Sequence, residues 1–162
     1  MANWREVCTE IVTLLQTVTG LGSIFDYPPD LRDPTSFKDL ATSWDENLPI
    51  INVWFVERVG AADVRGGTAP GVPLTKAVRR DRYLVTGIYG YAKGGKTVWE
   101  FQALVEAVLD KLLDYIHLGR RGDWVAKAAT LRLVGFRAFG DYLSHTAEIE
   151  LEVERWLTPT FQ

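Results

Sequence analysis

The sequence predicts an α+β fold in which two main helices pack on a mostly antiparallel β-sheet, with a long flexible loop between two of the strands. Three observations carry that expectation. Apolar residues recur at three- and four-residue spacing in two segments, 3–18 and 97–116, so each has one apolar helical face. Runs rich in β-branched and aromatic residues lie between and after them. The order of helix, strands, helix, strands also supplies too few helices for the repeated crossovers of a parallel sheet.

The first helix places Trp4, Val7, Cys8, Ile11, Leu14, Leu15 and Val18 on one stripe. Asn3 is positioned to cap it, with Glu6 three residues on to complete a capping box, and Gly20 and Gly22 end it. Cys8 lies within the stripe and reads as a small core residue. SIFDY then forms a short strand stopped by Pro28 and Pro29, and the polar stretch from Asp30 to Asn47 has room for helical turns around Ser36 to Leu40. LPIINVWFVERV, Leu48 to Val59, is apolar on both faces in its middle, the pattern of a central strand covered on both sides.

From Gly60 to Arg80 the chain carries four glycines and two prolines, with a basic excess from Arg65, Lys76, Arg79 and Arg80. A loop of that length inside a compact domain is unusual unless it has a task, so this segment reads as a mobile arm. Its charge suits phosphate, an acidic protein partner or plain solvation. Arg82 to Tyr91 alternates like a strand, Thr97 to Ile116 forms the second helix, and TLRLVGFRAFG gives a further strand. In YLSHTAEIELEVERWL, Ile149, Leu151 and Val153 point inward and Glu148, Glu150, Glu152 and Glu154 outward.

Composition bounds the function classes. The 162 residues are 47% hydrophobic and 24% charged, which suits one domain spanning 1–162 with a full core. A net charge of -3 and a pI near 5.4 argue against a broad basic face for gripping nucleic acid. One cysteine and two histidines supply neither an internal disulfide nor the material for a zinc site. No apolar run approaches the roughly 18 residues of a membrane span, and the charged start MANWREVCTE does not read as a signal peptide, so a soluble, unexported chain is expected.

The stretch GYAKGGKT, Gly90 to Thr97, satisfies the phosphate-loop pattern G-x-x-x-x-G-K-[ST] between a strand-like and a helix-like run. A working phosphate loop also needs a downstream strand ending in an acidic magnesium partner, and TLRLVGF ends instead at Arg137. The same letters are explained by Thr97 and Glu100 forming a T-x-x-E capping box at the second helix, with Gly94 and Gly95 making the turn and Lys93 and Lys96 solvated. Ser144 and His145 are neighbours on one strand and point to opposite faces, so they do not pair as nucleophile and base; His117 merely follows the helix stripe. The expectation is a protein without catalytic residues, cofactor or metal. A small nucleotide-binding enzyme is the distant alternative.

LLQTVTGLGSIFDYPP followed by LPIINVWFVERVG resembles the tail terminator and tail-completion proteins of long-tailed bacteriophages. The likeness lies in the opening amphipathic helix, the G-x-G turn into a short strand ending in Asp-Tyr, a strong strand, a flexible loop, another strand, one long helix and terminal strands. It implies a virion protein, assembled in the host cytoplasm, that forms a homohexameric ring, caps the tail tube and joins it to the head connector or neck proteins. DNA would only pass through its channel, and no membrane is involved. Another neck component, such as a head-closure or adaptor ring, is the near alternative. On this reading Arg65, Lys76, Arg79 and Arg80 sit on an assembly arm, and Glu148, Glu150, Glu152 and Glu154 line a channel that repels DNA.

Overall fold

A computed structural model describes residues 3–45, 48–64, 77–92, 95–117 and 124–157. Its elements run α1 (Trp4–Leu15), β1 (Ser23–Phe25), α2 (Pro34–Asp39), β2 (Ala41–Asp45), β3 (Leu48–Val64), β4 (Ala77–Gly90), α3 (Lys96–His117), β5 (Trp124–Phe139) and β6 (Tyr142–Leu157). The α+β class holds. Strands β1, β3, β4, β6 and β5 are neighbours in that order, with β2 also paired to β3, and every pairing is antiparallel except β1 with β3.

Helix α1 starts as its sequence dictates. Asn3 Oδ1 accepts the Arg5 and Glu6 amides at 2.8 and 3.1 Å, and Glu6 Oε2 accepts the Asn3 amide at 3.1 Å, so the capping box is complete. Its stripe of Val7, Cys8, Ile11 and Leu15 joins Phe101, Val105, Val108, Leu112 and Tyr115 of α3 over one sheet face. That face supplies Trp54, Val56, Tyr83, Val85, Ile149, Leu151 and Val153. Burial pushes the Cys8 thiol up to about 11, in keeping with a packed apolar role.

Among the described residues the opposite face is covered at one end. There Leu31 and Phe37 of the 26–40 segment pack on Ile51, Val53, Phe55 and Ile88. Helix α2 is possible in so short a segment because Asp33 caps it, accepting the Ser36 amide at 3.1 Å, and Pro34 presets its first turn. Strand β3 is therefore buried on both faces, as its continuous apolar run requires.

Two contacts place β3 closely. Asn52 Nδ2 donates to the Gly20 carbonyl at 2.7 Å while its Oδ1 accepts from Trp54 Nε1 at 3.0 Å, fixing the turn after α1 to the sheet. The Trp54 indole lies across Gly87 on β4, where an added Cβ would stand 2.6 Å from the ring; only glycine admits the ring there.

The structure corrects four expectations. Of the arm assigned to 60–80, residues 60–64 and 77–80 are strand, because β3 continues to Val64 and β4 begins at Ala77, with Ala62 opposite Arg80 and Asp63 opposite Arg79; residues 65–76 lie outside the described residues. A register shift between Arg58 and Gly60 absorbs the glycine, and pairing then continues through residues with weak strand preference. The helical turns expected around Ser36 to Leu40 form as α2, but the same polar stretch also contains a strand, β2, that was not expected. Strand β5 opens at Trp124 rather than Thr130, since the alanines of WVAKAA carry little strand signal and β6 supplies the partner. Helix α3 opens at Lys96, one residue early, so Thr97 is inside the helix rather than its cap.

Candidate functional site

The GYAKGGKT loop leaves β4 at Gly90 and enters α3 after Gly95, whose φ of 73° lies in the left-handed region. Lys93 and Gly94 fall outside the described residues. The Val98 amide donates to the Gly95 carbonyl at 3.1 Å, closing the first turn. Thr97 is buried: its Oγ1 accepts the Ala92 amide at 3.2 Å and lies 3.0 Å from His145 Nε2. The hydroxyl can donate to Nε2 or accept from it while still accepting the Ala92 amide, so the contact is compatible with either histidine tautomer. The hydroxyl that a phosphate loop offers to magnesium is thus engaged twice inside the fold. Nor does the T-x-x-E box form: Glu100 accepts from Tyr89 Oη at 3.0 Å and stands 3.8 Å from Lys96 Nζ, whose side chain is 83% exposed.

His145 sits on β6 among Tyr91, Phe101 and Phe136, with ring centroids 5.7, 5.6 and 4.8 Å away. Burial holds its imidazole below the ordinary histidine range. Ser144 beside it is also buried, and the two occupy consecutive positions of one strand, as the alternation demands. His117 ends α3. Among the described residues no group of His, Cys, Asp and Glu is arranged to hold a metal ion, and no helix is long and apolar enough to cross a membrane.

The glutamate row occupies the uncovered end of the second sheet face, with Ile149, Leu151 and Val153 buried on the other. It is not the single-sign row expected from β6 alone. Arg80 Nε lies 3.0 Å from Glu154 and 4.0 Å from Glu152, Lys127 Nζ lies 3.2 Å from Glu154, and Glu150 pairs with Arg132 and, at 3.9 Å, with Arg82. Glu148 sits between Thr86 and Leu133. Burial raises the Glu154 carboxyl, but the hydrogen bonds and charges of Arg80 and Lys127 outweigh it and hold the group below the usual range. Neighbouring strands thus turn an acidic row into a ladder of alternating charge, and like-charge repulsion of DNA is no longer its natural property.

That ladder accounts for part of the arm as well. Arg80 belongs to it, Arg79 is paired in register with Asp63 and Arg155, and Arg65 and Lys76 lie outside the described residues. The four arm residues therefore do not form one basic patch on the described strands.

Two features escaped the sequence reading. Asp81 is fully buried and paired to buried Arg155, while Arg58 Nη2 approaches its other oxygen to 2.9 Å. The signal was present: Asp81 occupies an inward position of the alternation that continues through Tyr83 and Val85. The second is the outer strip of β5. Among the described residues this strand has a neighbour on one side only, and it exposes Leu131, Leu133, Val134 and Phe136. On the adjacent helix Trp99 is 75% exposed, and Val105 with Gln102 and Glu106 forms a groove against Leu131 and Val134. Leu131, Val134 and Phe136 stand opposite Ile149, Ala147 and His145 on the helix side of the sheet, and Leu133 opposite Glu148 on the other, so the strand exposes apolar side chains on both faces.

Neither a protein-family model nor a curated protein sequence matches this chain.

Proposed function

We propose that the chain is a structural virion subunit, a tail terminator that assembles into a homohexameric ring, caps the tail tube of a long-tailed phage and joins it to the head's neck proteins. The observation that carries the reading is the β5 strip: a sixteen-residue strand with no strand on its outer side among the described residues, and with four large apolar side chains exposed along it. Such an edge is a template for a further chain, and the two register shifts and three basic residues of β5 still leave its large apolar side chains exposed. The interior engagement of Thr97 supports the reading from the other side, since it gives the GKT letters a packing role. On this reading the Glu148 to Glu154 ladder stiffens the sheet behind the interface. Arg65 and Lys76 remain the arm residues offered to a neighbouring subunit or the tube.

The test is electron microscopy of the purified protein mixed with uncapped tail tubes or with DNA-filled heads. Rings seated on one end of the tubes support the terminator. Rings that bind heads and ignore tubes point to a head-closure or adaptor layer instead. Protein that decorates neither sinks the assignment to the neck.

A further inference from the structure

Opposite edges of the single sheet carry complementary surfaces. Beyond β1, which pairs with residues 53–55, the outer side of β3 from 56 to 64 has no strand beside it among the described residues. Next to that edge Trp4, Asp26, Tyr27, Pro28, Glu57 and Arg58 line a cleft of about 430 Å3. Trp4 and Tyr27 are exposed; Arg58, the cleft's own cation, is turned to the buried Asp81, and the Arg5 guanidinium lies 5.5 Å from the centre of the Trp4 ring. The Tyr27 ring with the Asp26 and Glu57 carboxylates is the chemistry that receives a further guanidinium. The surrounding segment, 23–40, adds to the sign, with four aspartates against one arginine and one lysine.

At the other edge, β5 has the reverse character. It contains Lys127, Arg132 and Arg137 and no Asp or Glu. Lys127 and Arg132 are already paired with β6, whereas Arg137 is exposed and lines an open cleft of its own chain with Pro28, Asp30 and Phe139. At about 3.3 Å per residue the strand is about 50 Å long, and a strip about 15 Å wide along it offers about 750 Å2, close to the share each partner gives to a stable interface.

We propose that the partner of the β5 edge is a second copy of this chain, which presents the outer edge of β3 and the Trp4/Tyr27 cleft, with Arg137 entering the cleft between Asp26 and Glu57. The contact joins unlike surfaces, so each subunit uses both edges and the assembly grows head to tail; closure of that rotation makes a ring. The inference deepens the ring reading and supplies its contact. Backbone pairing gives the strength, and the Arg137 charge gives the register.

Sedimentation of the full chain over a concentration series tests it with two folded variants, Leu133→Glu/Arg137→Glu on β5 and Asp26→Lys/Glu57→Lys at the cleft. All of these side chains lie at the surface or edge, and circular dichroism with unchanged melting confirms that each variant folds. Each variant alone is expected to lose about a hundredfold in self-association, because like charges then meet across the contact. Their equimolar mixture is expected to recover assemblies of wild-type size, since each altered edge now faces its opposite. A wild type that stays monomeric, variants that assemble unchanged, or a mixture that does not recover overturns the contact. Isologous β5-to-β5 pairing would show as a cleft variant that still dimerises, and it overturns the contact too. The neck assignment is read separately from tube and head binding. Variants that still cap tubes refute the contact and spare the function; wild-type rings that bind neither particle do the opposite.

Discussion

Thr97 Oγ1 and His145 Nε2 stand 3.0 Å apart, joining the first turn of α3 to the middle of the sheet across 48 residues of chain. Both groups are buried, and burial disfavours the charged imidazolium. Burial keeps His145 below its unfolded value of 6.5, so the unfolded chain binds the extra proton first. Stability from this group is fully present above about 6.5 and is lost progressively as pH falls from there toward the folded value. The melting temperature of the wild type is expected to drop on acidification through that window, and His145→Phe is expected to flatten the dependence. A wild type and variant with parallel pH profiles would refute the link.

Removing the other partner tests the same bond at constant pH. Thr97→Val keeps the shape and leaves both the Ala92 amide and Nε2 without their partner, at a cost of about 1–3 kcal/mol in urea unfolding. Lys96→Ala, by contrast, removes an exposed side chain and one surface pair, and is expected to change stability by about 0.5 kcal/mol or less. Magnesium and ATP are expected to leave the melting temperature where it was, because the loop's hydroxyl is already bonded inward. A nucleotide-dependent rise would restore the phosphate-loop reading.

Asp81 and Arg155 separate buried from exposed electrostatics. Asp81→Asn leaves Arg155 buried without its countercharge and is expected to cost about 3–5 kcal/mol. Arg80→Ala removes a half-exposed member of the surface ladder and should cost less than about 1 kcal/mol. Chemical denaturation of both variants, with and without added salt, measures the contrast. Comparable losses would mean that the ladder is far more desolvated than its exposure indicates.

Gly87→Val introduces a side chain into space held by the Trp54 ring, and β3 and β4 must separate or Trp54 must leave its rotamer. The expected loss is at least about 1–3 kcal/mol, visible as a lower urea midpoint and altered tryptophan emission. Wild-type stability in that variant would mean that the indole has somewhere else to go.

Much of the fold was legible because local patterns agreed with global packing. The Asn3 cap, the α1 stripe, the doubly buried β3 and the inward Ile149, Leu151 and Val153 each follow from spacing alone. What stayed hidden depends on cross-strand partners. Residues 60–64 and 77–80 resemble a loop until β3 and β4 are laid side by side, and Glu150, Glu152 and Glu154 resemble a bare acidic row until Arg80, Arg82, Lys127 and Arg132 are placed beside them. The β5 strip was hidden for the same reason, since Leu131, Leu133, Val134 and Phe136 look like core residues in sequence and become a surface only once β5 proves to be the edge. Asp81 was legible and overlooked, as a charge at an inward step of a regular alternation.

Strand β6 comes last among the described elements yet lies between β4 and β5, pairing with both along nearly its whole length. During synthesis, therefore, β5 has no described strand to pair with and β4 has only β3 until β6 has been made. A chain interrupted after Gly140 would carry one long unpaired strand and the open inner edge of another, a state prone to misassociate. Closure of the sheet thus waits on β6, and nascent-chain proteolysis should find protection of β4 and β5 arriving abruptly once β6 is clear of the exit tunnel.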